Sequence, residues 1–150
     1  MSPAALLSRD GLVAFLNVLL EAERAGARTL AEWLDELDPG AESWAPLRAA
    51  QRDEARNCAL LIELLIAEGA KPSLATGEFH RRAKALRGWE ARLRFLNRGQ
   101  AWVERSIAET LPRVHDASVK QVLAAMRDSH RANIEVCGCL LDAMQASRPA

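Results

Sequence analysis

Glu23, Glu54, Gln100 and His130 are polar residues at positions where an amphipathic helix should be apolar. At 3.6 residues per turn each step is about 100°, so side chains within roughly 40° of one direction share a face. Leu16, Leu19, Leu30 and Leu34 surround Glu23 in this sense, and Leu47, Ala50, Cys58, Leu61 and Leu65 surround Glu54. Trp89, Leu93, Leu96, Ile107 and Leu111 surround Gln100, while Val119, Leu123, Met126, Ile134, Cys137 and Leu141 surround His130. Each polar residue also lies near the lengthwise middle of its apolar run. A lone buried carboxylate is costly or is forced neutral, so it needs a cation, a donor network or a metal ion.

Three chemistries fit this set. Glu23, Glu54 and His130 make a two-carboxylate, one-imidazole group able to bind one Fe, Mn or Zn ion with positions left for water. Gln100, Asn57 and Asn133 would then orient the ligands. A two-metal site would need a further carboxylate, and Glu104, roughly 40° from Gln100 and one turn on, would have to turn inward to supply it. In the second chemistry no ion is present: a protonated His130 between Glu23 and Glu54, bridged by Gln100, forms a satisfied network that fixes helix pairing. In the third, Gly26 and Gly99 leave room beside the layer for a small-molecule cavity.

The elements that must position these residues are all helical. β-Branched residues are few, tyrosine is absent, and Ala, Leu, Glu and Arg abound. The first long helix is predicted from Asp10, as N-cap, to Leu37, where Asp38-Pro39-Gly40 stops it. The second runs from Ser43, with Pro46 in its first turn, to Gly69. A short helical piece over Thr76 to Leu86 follows, then the third long helix from Trp89 to Leu111, ended by Pro112. The fourth runs from Asp116 to Gln145. Glu23 and Glu54 are 31 positions apart and Gln100 and His130 are 30 apart, which reads as two similar hairpins. The residues from 69 to 88 are enough to return along the bundle, so the second and third long helices should be parallel.

At 150 residues, 49% hydrophobic and 27% charged, the chain reads as one domain over 1–150 with its bundle at about 10–145. Twenty basic and twenty acidic residues, interspersed, point away from nucleic acid and from an anionic membrane. Neither a signal peptide nor a membrane span is recognisable, so a cytoplasmic location is expected. Cys58, Cys137 and Cys139 suit neither a disulfide framework nor a zinc finger and read as reduced thiols, the first two packing the core.

The layout resembles the ferritin-like superfamily, whose iron-binding members place Glu, Glu-x-x-His, Glu and Glu-x-x-His on four successive helices. The strings "LLEAERAGA", "QRDEARNCA", "FLNRGQAWV" and "SHRANI" resemble more closely a bacterial ferritin-like family of unknown function. The resemblance implies a four-helix bundle with a long crossover, containing a short helix, between the second and third long helices. The ligand set departs from the pattern. Asn57 stands where a histidine is expected and Gln100 where a glutamate is expected. The fourth helix offers His130 and Asn133, or, if His130 is the motif histidine, Arg127 in the glutamate's place. The resulting expectation is a ferritin-like bundle of unknown biological role whose central layer binds a metal ion, the alternative being a metal-free binding or scaffold protein or a small-molecule-binding bundle; an enzyme is less expected, and its activity would be a metal-dependent oxidoreduction.

Remaining features read as structural. Trp33, Trp44 and Trp89 should pack the core and its ends. His80 and His115 should be solvated, with "HRRAKALR" as the exposed face of the short helix. Phe95 and Trp102 share the face opposite Gln100, which suggests a homodimer covering Trp102.

Overall fold

The computed structural model describes residues 3–149 and is all-helical; residues 1, 2 and 150 of the expected 1–150 domain lie outside the described residues. Four long helices, α1 (Arg9–Glu36), α2 (Trp44–Ala67), α4 (Trp89–Thr110) and α5 (Ala117–Ala146), are joined by short links and by a long segment that carries the short helix α3 (Glu78–Ala83). Among the described residues no helix is long and apolar enough to cross a membrane.

Local chemistry sets the ends. Ser8, not Asp10, caps α1, because its hydroxyl accepts from the Gly11 N–H at 3.0 Å while Asp10 sits in the first turn. α2 ends where Gly69 turns left-handed at φ 71°, and the Gly69 and Ala70 N–H groups bond back to Ile66 and Leu65, closing the last carbonyls. Asp116 caps α5 by accepting from the Ser118 and Val119 N–H groups. Those bonds hold its carboxyl below the ordinary range, the Ser118 side chain contributing most. α3 is shorter than expected, and residues 84–86 form turns instead.

Two apolar clusters lie at opposite ends of the bundle. The first joins Leu12 to Leu20 of α1 with Leu61 and Leu65 of α2, Val103 and Ile107 of α4, and Val119 to Met126 of α5. The second joins Leu30 and Trp33 with Leu47 and Ala50, Leu93 and Leu96, and Cys137 and Leu141, and takes in Ala83 of α3. Early residues of α1 and α5 therefore share an end with late residues of α2 and α4. Thus α1 opposes α2, α4 opposes α5, and α2 and α4 point the same way. Each fully buried leucine contributes about 1.5–3 kcal/mol relative to exposure, so both ends are anchored by burial.

The segment between α2 and α4 lies along α1 in α1's own direction. Asn17 Oδ1 accepts from the Ser73 N–H at 2.8 Å, the Glu21 carbonyl accepts from Gly77 at 3.0 Å, and Arg28 donates to Thr76 at 3.0 Å. A Cβ on Gly77 would stand 3.0 Å from the Glu21 carbonyl oxygen, so glycine is what lets this segment approach. His80 completes the series. Expected in solvent, it is buried instead, at 2.8 Å from Glu32 on α1. That hydrogen bond, more than charge, draws the Glu32 carboxyl below its ordinary range. The spacing of "HRRAKALR" hid this because His80 and Ala83 share the inner face of a single turn. His115 is exposed, as expected.

Candidate functional site

Between the two clusters lies a polar layer in which Glu23, Glu54, Asn57, Gln100 and His130 are all at most 5% exposed. The four long helices each contribute to it; the face-and-midpoint reading of the sequence pointed to Glu23, Glu54, Gln100 and His130, and Asn57 joins them from three positions after Glu54 on α2.

The layer is one chain of hydrogen bonds. Asn57 donates to Glu23 Oε2 at 3.4 Å; Glu23 Oε1 meets His130 Nε2; His130 Nδ1 meets Gln100 Oε1; and Gln100 Nε2 donates to Glu54 Oε1 at 3.2 Å. Both ring nitrogens of His130 face oxygens, Nε2 that of Glu23 and Nδ1 that of Gln100, so the imidazole meets Glu23 and not Glu54. With no basic group against it, Glu54 has its carboxyl raised well above the ordinary range, by burial first and then by the Glu23 charge.

Glu54 is also where the chain stops. Its Oε2 is buried with no partner among the described residues. That oxygen lies over Gly26: a Cβ built there would fall 2.7 Å from the Glu54 carboxyl carbon, nearer than real Cβ atoms come. Gly26 is thus required by the placement of Glu54 rather than by its own backbone.

Two residues expected in the layer are elsewhere. Asn133 is half-buried and donates to Asp53 at 3.4 Å, an acceptor it shares with Ser129. One turn past His130, it has rotated far enough around α5 to meet the α2 residue beside Glu54 instead of Glu54 itself. Glu104 also stays outside, because Arg131 on α5 bonds it at 2.8 Å at the bundle surface. Among the described residues, no three His, Cys, Asp or Glu side chains are grouped as a ready ligand set. Cys58, half-buried near Glu23, has its thiol pushed up to about 12 by burial and then by that carboxylate; burial alone pushes Cys137 up to about 11. Neither is poised as a nucleophile.

Beside the layer, a cleft of about 610 Å³ opens between α1, α3 and α4. Gly26, Glu54 and Gln100 line its inner wall; Val18, Phe79, Phe95 and Trp102 line its sides. Phe79 and Phe95 stack at 4.4 Å. Gly99 permits this, since a Cβ there would fall 2.8 Å from the Phe79 ring. The sequence signalled Gly26, Gly99, Phe95 and Trp102 separately but gave no sign that Phe79 and Val18 would join them, because that depends on how the 68–88 segment lies.

No curated protein and no solved structure matches this chain. Its residues 10–139, which include all five residues of the layer, match the family described as a domain of unknown function, DUF6306, and the chain belongs to that family.

Proposed function

We propose that this protein is a ferritin-like bundle that binds a small molecule in the cleft beside a metal-free polar layer. The observation that carries the reading is Glu54, whose Oε2 is buried without a partner in the inner wall of a cleft of small-molecule size. Buried polar atoms nearly always have partners. A ligand atom seated against Gly26 and Gln100 would supply one.

The shared direction of α2 and α4, the segment laid along α1 and the one layer fed by four helices support the ferritin-like reading. The donors, as they stand, do not fit an ion. Glu23 has one oxygen on His130 and the other on Asn57, both nitrogens of His130 are occupied, and Gln100 separates His130 from Glu54. One carboxylate oxygen is left, too few to hold a metal. Purified protein should therefore show no thermal shift with Fe(II), Mn(II) or Zn(II); a stoichiometric shift that Glu23→Gln abolishes would restore the metal reading.

Ligand binding is tested with the neutral, apolar fluorophore N-phenyl-1-naphthylamine. It should bind saturably at one site per chain, and Val18→Trp at the cleft edge and Trp102→Ala should both weaken it. Absence of saturable binding, or binding indifferent to both substitutions, would refute the proposal.

A further inference from the structure

Two arginines at the mouth of the cleft, Arg82 on α3 and Arg98 on α4, are both exposed, and both place their guanidinium near the Phe95 ring, at 5.7 and 5.9 Å from its centroid. Neighbouring arginines are committed to carboxylates: Arg81 to Glu78, Arg92 to Glu36 and Arg94 to Glu90. Among the described residues neither Arg82 nor Arg98 has such a partner. Two like charges gathered at one ring repel each other, and an anion between them would relieve that repulsion while gaining charge-assisted hydrogen bonds.

We infer that the cleft takes an amphipathic monoanion, its carboxylate head between Arg82 and Arg98, its apolar body against Phe79, Phe95 and Trp102, and a hydrogen-bonding group at its inner end meeting Glu54 Oε2. This specifies the ligand class and rests on the ligand-binding reading above. The charges around the mouth agree with it. Glu78 is bridged to Arg81, and Glu21 enters from the α1 wall, so an anionic head is turned from that wall toward the α3 and α4 side. The aromatic side walls exclude water from the body of the ligand, as small-molecule sites do. Guanidinium pairs suit a planar carboxylate because each offers a fork of donors.

The test compares three ten-carbon probes, decanoate, decan-1-ol and decylammonium, as competitors of N-phenyl-1-naphthylamine on the full chain. Decanoate should displace the fluorophore at a concentration about tenfold lower than either of the others, a margin that corresponds to one added charge-assisted contact. The advantage should shrink as salt screens the mouth. In Arg82→Gln/Arg98→Gln, whose side chains stay polar and exposed, the ratio of decanoate to decan-1-ol displacement should fall to about one, whatever the fluorophore's own affinity. Equal displacement by all three probes, preference for decylammonium, or a decanoate advantage that survives the double substitution would each overturn the inference while leaving the ligand-binding reading standing. Failure of the fluorophore itself to bind wild-type protein would overturn both.

Discussion

Glu23 and Glu54 lie in one layer on adjacent antiparallel helices, yet the bundle treats them differently. Glu23 has a partner for each oxygen and shares its charge with His130. Glu54 has one partner, no cation and a bare oxygen against Gly26. Burial is not what separates them, since both are at most 5% exposed. Partnership is. The Glu23 half is closed and holds α1, α2 and α5 in register; the Glu54 half borders a cleft and keeps one buried oxygen without a partner. Perturbing the two halves should accordingly have different consequences.

The largest effect is expected in the closed half. His130→Ala removes the only basic side chain from the layer and leaves Glu23 with Asn57 alone, so unfolding free energy should fall by about 3–5 kcal/mol, the cost of breaking a buried pair by removing one partner. Glu23→Gln added to that background should recover part of the loss, because the stranded charge is then gone. Denaturant titration of the single and double variants measures both. If His130→Ala cost no more than about 1 kcal/mol, as a surface pair would, the closed half would not be closed.

A smaller effect separates two helical glycines. Gly138 on α5 has nothing within 4 Å of where its Cβ would be, so Gly138→Ala should stabilise by about 0.8–1 kcal/mol through helix propensity alone. Gly26→Ala gains the same propensity but drives a methyl into the Glu54 carboxyl. The side chain can yield only by leaving Gln100 or moving toward the cleft, so a net loss of about 1–2 kcal/mol is expected, as in other overpacked interiors. Weaker fluorophore binding should accompany it. Thermal melts of the two variants, run together, sharpen the contrast, and stabilisation by both would mean that Glu54 is not held over Gly26.

The closed half was the more legible one in the sequence. Helix periodicity marks a polar residue inside an apolar stripe, and four such residues at helix midpoints have to meet once the helices are paired. Directions followed from connection lengths, because links as short as those at 38–43 and 112–116 force hairpins and a long one does not. What periodicity could not resolve was which polar residue at the edge of a stripe turns inward. Asn133 and Glu104 are each one turn from the layer, and Asp53 and Arg131, residues outside the stripes, decided their placement. His80 was misjudged for a related reason. Its burial comes from a six-residue helix lying against α1, a tertiary contact with no period to read. The cleft has the same origin, since Phe79 reaches it only from that segment.

The effect of the open half appears only with pH. A carboxyl whose proton is held more tightly in the folded state is fully stabilising to the protein below its unfolded value, ordinarily 4.5, and the folded state loses ground as pH rises above it, until the folded-state proton is also released. Keeping Glu54 neutral therefore becomes harder toward neutrality, by at most about 1.4 kcal/mol per pH unit. Glu54→Gln keeps the shape and the oxygen that accepts from Gln100 but carries no titrating proton. Near pH 4.5 the variant and wild type should melt within a degree or so of each other, a difference well under about 1 kcal/mol. As pH is raised toward 8 the variant should become progressively the more stable of the two. The sign is the test. If Glu54→Gln instead lost stability with rising pH, Glu54 would be ionised in the folded protein, with a cation beside it, and the two halves of the layer would be alike.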